Sequence, residues 1–213
     1  MALPPIPFYF VRHGETEANV SKQVAGWFDS PLTENGRQQA KHLSSIMGRL
    51  PQKPTKIFHS DLSRAKDTAL AVNNVLKLDM IEHKGLREHH FGDHEGKSCW
   101  DDVFNILESQ GIPQNGESYD MFYERALSVF SEIITEKTSP ILITAHGGFA
   151  HQIKRLLGRD YTYSSDNIVR NCHLHYFEPW PENLNAPWKV HVFDEIDGEV
   201  VQSSASWCPS TAR

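Results

Sequence analysis

Three short apolar runs, separated by helix-length segments, constrain the fold of this chain more than any other feature. They occupy residues 8–11, 56–59 and 140–145. The runs are rich in β-branched and aromatic residues, as in strands that are buried on both faces of a parallel sheet. Strands that alternate with helices predict an α/β domain in which a mainly parallel central sheet is flanked by helices.

Apolar residues recur at helical spacing between and after these runs. Four such stripes are present: residues 40–50 after Thr33, 62–76 after Ser60-Asp61, 119–133 after Ser118, and 149–156. The polar residues before the first three stripes are good N-cap residues, because their side chains can accept a hydrogen bond from a free backbone N–H. We therefore expect a helix at each stripe.

Other segments depart from this alternation. Residues 89–117 are polar and bracketed by glycines, which predicts an insertion that passes over the sheet and shapes a pocket. Residues 173–177 and 188–193 alternate in polarity and predict an edge hairpin, and we expect residues 203–213 to form a frayed tail. With 213 residues, we expect a single domain, 1–213, with its core at about 8–195.

Charge and cysteine content exclude several classes of protein. Lys and Arg number 21 and Asp and Glu 27, so the net charge is 21 − 27 = −6. This balance disfavours nucleic acid and acidic membranes as partners. Three widely spaced cysteines indicate neither a disulfide framework nor a zinc knuckle. With no signal-like N-terminus or apolar span, we expect a cytoplasmic protein.

Two of the predicted strands end in the same way, with His-Gly: Arg12-His13-Gly14 and His146-Gly147. Open α/β sheets bind ligands at this end of their strands. A lone histidine there is more often structural, but its repetition at a second strand favours a site. Arg64 lies in the first turn of the helix that follows the third run. Because guanidinium groups match phosphate oxygens bidentately, this set predicts a phosphate site.

At this point the chain resembles the histidine phosphatase superfamily, the phosphoglycerate mutase-like group. The resembling motifs follow one another from residue 8 to about residue 158: Arg12-His13-Gly14-Glu15-Thr16 with Asn19, Gly26-Trp27, residues 31–36, residues 60–65, Leu86-Arg87-Glu88, Phe91-Gly92, Glu95-Gly96, Gly116-Glu117-Ser118 and His146-Gly147-Gly148. The resemblance implies the phosphoglycerate mutase-like fold, with the insertion over the active site.

The resemblance also implies a covalent mechanism without a cofactor. His13 would be the nucleophile and Glu88 the proton donor and later the base. The phosphate would be surrounded by Arg12, Arg64 and His146. Further contacts to substrate would come from Asn19, Gly26 and Gly147. A neutral imidazole is nucleophilic near pH 7, and fixed positive charge can stabilise a phosphoryl transition state without a metal.

The residues themselves leave two alternatives open. Without the resemblance, Glu88 is only slightly preferred to Glu95 as the acid, because carboxylates in a polar stretch are usually solvated. The histidines of residues 89–94 and the pair His146 and His151 suggest a metal site. Adjacent histidines point in different directions, and an i, i+5 pair lies roughly 500° apart around a helix. We therefore expect no metal.

The insertion discriminates between activities. The family's mutases carry several Lys and Arg there for the substrate carboxylate, whereas residues 89–117 contain only Lys97. We therefore expect hydrolysis of a small phosphomonoester, such as a sugar phosphate or ribazole phosphate. Phosphoglycerate mutase activity and a non-catalytic phospholigand-binding module are the alternatives. The sequence identifies neither the physiological substrate nor the oligomeric state.

Overall fold

The computed structural model describes residues 4–135, 137, 139–157, 169–182 and 188–205. Within these ranges, seven strands form one sheet: β1 (Phe8–Arg12), β2 (Ile57–His59), β3 (Met80–Glu82), β4 (Ile141–Ala145), β5 (Leu174–Pro179), β6 (Trp188–Ile196) and β7 (Glu199–Ala205). The described helices are α1 (Glu17–Val20), α2 (Glu34–Arg49), α3 (Ser63–Leu76), α4 (Trp100–Glu108), α5 (Tyr119–Ile133) and α6 (Gly147–Leu156).

The strand order is β3-β2-β4-β1-β5-β6-β7. The first four strands pair in parallel, and β5, β6 and β7 continue the sheet with antiparallel pairs. The predicted α/β architecture is confirmed. The three apolar runs became β1, β2 and β4, which lie side by side. The three apolar runs thus form three of the four parallel strands.

The side chains of β1 show why its sequence is continuously apolar. Phe8 and Phe10 belong to a core built with α5 and α6, whereas Tyr9 and Val11 belong to a second core built with α2 and α3. Successive side chains on a strand point to opposite faces of the sheet. Since helices cover both faces, both sets are buried.

Two of the predicted N-caps are confirmed and one is wrong. The side chains of Thr33 and Ser118 accept hydrogen bonds from the third N–H of α2 and α5. Helix α3 instead begins at Ser63, and its first N–H donates to Oδ1 of Asp29 at 2.9 Å. The predicted cap Asp61 is held by Arg87. The true cap comes from a distant loop, so local sequence could not reveal it.

The insertion and the C-terminal region contain elements that the patterns missed. Residues 89–117 include a 3₁₀ turn and α4, which closes a small apolar cluster of its own. Strands β5 and β6 form the predicted hairpin, but β7 pairs with β6 and takes the edge of the sheet. Residues 203–205 therefore belong to a strand and not to a tail, and residues 206–213 lie outside the described ranges. Across the ranges described, no helix is long and apolar enough to span a membrane.

Candidate active site

The two His-Gly motifs meet because their strands are neighbours. β1 and β4 are parallel and in register, so Arg12 lies opposite Ala145. The residues that follow each strand are then side by side: the rings of His13 and His146 have centroids 5.2 Å apart at an interplanar angle of 61°. The backbone N–H of His13 donates to the carbonyl of Ala145 at 3.0 Å. The expected convergence is present.

The ring of His13 is oriented by the backbone of the next residue. Its Nδ1 lies 2.7 Å from the carbonyl oxygen of Gly14. Because a carbonyl can only accept, Nδ1 carries the hydrogen, and in the neutral ring Nε2 bears the lone pair. Burial, together with Arg64 and Arg12, holds the pKa of His13 well below its usual value. The side chain is thus a neutral imidazole with an unprotonated Nε2.

His146 is fully buried, and neither ring nitrogen has a hydrogen-bond partner among the described residues. Burial, Arg64 and His13, in that order, hold its pKa well below the ordinary histidine value. Buried polar groups in proteins nearly always have a partner, so two orphaned nitrogens beside His13 indicate a place for a polar ligand.

Arg64 is the most deeply buried charge of the site, with 1% of its surface exposed. Its two terminal nitrogens donate to the carbonyls of Phe28 at 3.0 Å and Gly26 at 2.6 Å. Its Nε has no partner among the described residues. Burial lowers the pKa of Arg64 to about 10, so the group is cationic at neutral pH. Its positive charge acts on both His13 and His146, since it lowers the pKa of each.

Gly26 therefore has a placement that the sequence did not suggest. Its carbonyl binds Arg64, and its φ of +52° favours glycine. A side chain there would overlap the carboxylate of Glu95. The carbonyl of Gly26 thus helps to orient the guanidinium of Arg64, and a contact of Gly26 with substrate stays a prediction.

Arg12 and Gly147, which neighbour the two histidines in sequence, lie close to each other. Arg12 ends β1, and its NH1 donates to the carbonyl of Val169 at 2.8 Å. A Cβ at Gly147 would lie 3.6 Å from Arg12 Nε, in van der Waals contact. Gly147 is also the first residue of α6, whose N-terminus carries partial positive charge. An anion near His13 would face both.

Glu88 reaches the same helix terminus from the loop that precedes the insertion. Its Oε2 accepts from the backbone N–H of Gly148 at 2.9 Å, and its Oε1 accepts from that of His89 at 2.8 Å. A side chain at position 148 would overlap the carboxylate, so only glycine permits this approach. The Glu88 carboxylate is thus held by the N–H of Gly148, which follows His146 by two residues in the sequence.

Glu95 is engaged differently. Its Oε1 accepts from the backbone N–H groups of Trp27 and Phe91, and its Oε2 from that of Phe28. These three bonds tie the loop that carries the Arg64 acceptors to the insertion. Of the two candidate acids, Glu88 binds the start of α6 through the N–H of Gly148, and Glu95 binds the backbone of two loops.

Asn19 caps a turn next to His13. It forms a capping box with Thr16, in which its Oδ1 accepts from the Thr16 N–H at 3.2 Å. The same oxygen lies 3.4 Å from Nδ2 of Asn171, which also donates to the carbonyl of His13 at 2.8 Å. Because the oxygen is committed as an acceptor, the amide nitrogen of Asn19 is the group left to donate to a ligand.

Two participants were not identified as such from the sequence. Arg125 lies on α5 and contacts the loop of Glu88, and Glu117 binds Arg125. The available signal was a charged residue within an apolar stripe, three residues after the buried Phe122. Glu117 stood in the Gly-Glu-Ser motif, but its role was not legible.

The histidines of the insertion have contacts of other kinds. His89 Nε2 lies 2.8 Å from the carbonyl of Glu117, and His90 stacks on Trp27 with centroids 4.3 Å apart. Among the residues with described coordinates, no group of three or more His, Cys, Asp or Glu side chains is placed to hold a metal ion. The expectation that no metal is needed stays a prediction.

Comparison with known proteins agrees with this geometry. The sequence profile of the histidine phosphatase superfamily (branch 1) matches residues 8–187. The chain belongs to this superfamily. The match includes both His-Gly motifs, Arg64 and Glu88, and it confirms the resemblance found in the sequence.

Individual members of the superfamily differ in activity. The chain is 30% identical over 155 residues to a metal-independent phosphoserine phosphatase of Arabidopsis thaliana, covering 67% of this chain and 65% of that protein. It is 29% identical over 206 residues to a probable phosphoglycerate mutase of Serratia proteamaculans, covering 88% and 92%. The crystal structure of the alpha-ribazole phosphatase of Shigella flexneri superimposes with a TM-score of 0.71 at 27% identity, covering 82% and 91%.

Proposed function

We propose that this protein is a phosphomonoesterase that transfers the phosphoryl group of a small metabolite to His13 and then to water. The observation that carries the proposal is the state of His13. Its Nδ1 is bound to a carbonyl, its Nε2 is unprotonated, and Arg12, Arg64 and His146 surround it. A nucleophile beside fixed cations is what phosphoryl transfer requires.

In the first step, Nε2 of His13 attacks phosphorus as the bond between phosphorus and the leaving oxygen breaks. The proton for the leaving oxygen comes from Glu88 in its protonated form. The Nδ1–H bond to Gly14 persists and helps to disperse the positive charge that the ring acquires. In the second step, Glu88 takes a proton from water, which attacks phosphorus and releases inorganic phosphate and free His13.

The anionic oxygens of the phosphoryl group meet the cationic side of the site. Arg12 and Arg64 supply full charges, and His146 supplies one of its orphaned ring nitrogens as a hydrogen-bond partner. Asn19 Nδ2 and the N-terminus of α6 at Gly147 supply further donors. These groups are fixed before substrate binds, which is the condition under which they stabilise a transition state most.

A phosphatase is favoured over a mutase by the pairing of the other arginines near Glu88. Arg87 forms two hydrogen bonds with Asp61, at 2.7 and 2.5 Å, and Arg125 is bound to Glu117. Both charges are therefore already paired with carboxylates of the protein. With 3-phosphoglycerate and a bisphosphoglycerate primer, we expect little 2-phosphoglycerate relative to the best phosphomonoester hydrolysis. Efficient isomerisation would make the mutase assignment the correct one.

The remaining parts of the proposal concern its setting. We propose a single-domain cytoplasmic enzyme, supported by one continuous sheet and two free cysteines in the described residues. The net charge of −6 supports a small-molecule substrate in preference to nucleic acid. A sugar phosphate, ribazole phosphate or similar monoester is the substrate class that we propose.

Trapping the intermediate tests the mechanism directly. Rapid quench with a ³²P-labelled monoester should give an acid-labile, base-stable adduct that maps to His13. The matched control is His59, which also ends a strand and directs Nδ1 to the next carbonyl, at 2.9 Å. His13→Gln should abolish labelling, and His59→Gln should retain it. A label on cysteine or aspartate would refute the mechanism.

A further inference from the structure

The segment that carries Glu88 is held by one arginine. The guanidinium of Arg125 donates to the carbonyls of Gly85 and Arg87, both at 2.8 Å, and of Glu88 at 3.0 Å. Three carbonyls within four consecutive residues thus converge on one side chain. Because Arg125 projects from the long helix α5, it ties this loop to a rigid element.

The other edge of the guanidinium binds Glu117. Its Nε donates to Oε2 at 3.2 Å, and its NH2 donates to Oε1. Oε1 also accepts from the backbone N–H of His90 at 2.9 Å. The side chains of Arg125 and Glu117 are only 20% and 10% exposed. Arg125 and Glu117 together therefore bind the backbone of residues 85–90 on both sides of Glu88 in the sequence.

Apolar and aromatic neighbours fix this pair further. Arg125 lies over the ring of Phe122 at 4.7 Å, and Trp27 donates its Nε1 to the same Glu88 carbonyl at 2.8 Å. The Glu88 backbone oxygen therefore has two donors, and among the described residues its carboxylate accepts from the N–H groups of His89 and Gly148. The backbone contacts decide where the carboxylate can reach.

We propose that Arg125, locked by Glu117, is a positioning residue that aims the Glu88 carboxylate at the leaving oxygen. The proposal rests on the proposed function for its kinetic consequence. It assigns Arg125 no contact with substrate, because Nε, NH1 and NH2 of its guanidinium all donate to oxygens of the protein. Loss of Arg125 should therefore impair proton transfer in particular, and phosphate binding much less.

The kinetic test compares leaving groups. A misplacement of about 1 Å can cost about 10²-fold in rate, so Arg125→Gln should lower kcat/KM for an alkyl phosphate by about that factor. p-Nitrophenyl phosphate needs no proton on its leaving group, and its phosphoryl-transfer step should change by less than about threefold. Arg125→Lys, which keeps the charge beside Glu117 but cannot make all the bonds, should show the same pattern with a smaller loss.

A double-mutant cycle identifies the route of the effect. If Arg125 acts through Glu88, adding Arg125→Gln to Glu88→Gln should cause no further loss with the alkyl phosphate. Arg49→Gln is the matched control, because Arg49 also joins a helix to a distant backbone carbonyl, that of Gly198, and to a glutamate. It should leave both substrates unaffected. Equal losses for the two leaving groups, or additive losses in the cycle, would overturn the proposal.

A spectroscopic readout separates this proposal from the proposed function. The amide of Gly148 donates to Glu88, so its ¹H–¹⁵N resonance should move in Glu88→Gln, in Arg125→Gln and in Glu117→Gln, but not in Arg49→Gln. If the wild-type protein hydrolyses no monoester, the proposed function fails, and this resonance still decides the positioning role. An unchanged Gly148 resonance in folded Arg125→Gln would overturn it.

Discussion

Acid should destabilise this protein strongly, because several of its histidines are buried in the neutral form. Burial lowers the pKa of His151 and of His175 to about 3, and it holds those of His13 and His146 well below their usual value. In the unfolded chain each of these groups titrates near 6.5. As the pH falls below 6.5 the unfolded state binds protons that the folded state cannot, so stability is lost.

The magnitude follows from the pKa values of His151 and His175. At pH 5 each group is 1.5 units below its unfolded pKa and above its folded pKa of about 3. At about 1.36 kcal/mol per unit, each then lowers the free energy of unfolding by about 2 kcal/mol relative to pH 7.5. The two together remove about 4 kcal/mol, a large share of a typical 5–15 kcal/mol. The active-site pair acts in the same direction.

Urea unfolding followed by tryptophan fluorescence at pH 7.5 and 5.0 measures this difference. His175→Gln should reduce the difference by about 2 kcal/mol. His42→Gln should not, because the side chain of His42 is 54% exposed. Equal unfolding free energies at the two pH values would show that these histidines are not held neutral.

Two further predictions concern the chemistry. Glu88→Gln should slow phosphoryl transfer from an alkyl phosphate by about 10² to 10⁴, whereas p-nitrophenyl phosphate should give a burst of phenol and then slow turnover. Glu95→Gln, which removes an acceptor from loop amides, should instead affect both leaving groups alike; the reverse result would make Glu95 the acid. Activity should survive exhaustive EDTA treatment and be inhibited by vanadate, since Arg12 and Arg64 provide the cationic charge; loss to EDTA with recovery on adding zinc would contradict this.

The sequence alone determined the features that depend on neighbouring residues. A run of apolar residues that serves both faces of β1 is legible from composition. Caps such as Thr33 act within one turn of helix. The proximity of His13 and His146 was predictable because neighbouring parallel strands end at the same edge of a sheet. The glycine that follows each histidine and the resemblance to the superfamily predicted the phosphate site and its covalent mechanism.

Only the tertiary structure decided the features that depend on distant residues. Glu88 and Glu95 lie in the same polar stretch and local sequence hardly separates them, yet Glu88 accepts from the N–H of Gly148, 60 residues away, and Glu95 accepts from those of Trp27 and Phe28. The cap of α3 comes from Asp29, and the carbonyls around Arg125 come from a loop about 40 residues earlier. Hydrogen bonds between residues far apart in the sequence leave no signal in the residues next to either partner. The position of a carboxylate was therefore set by packing that the sequence specifies only as a whole.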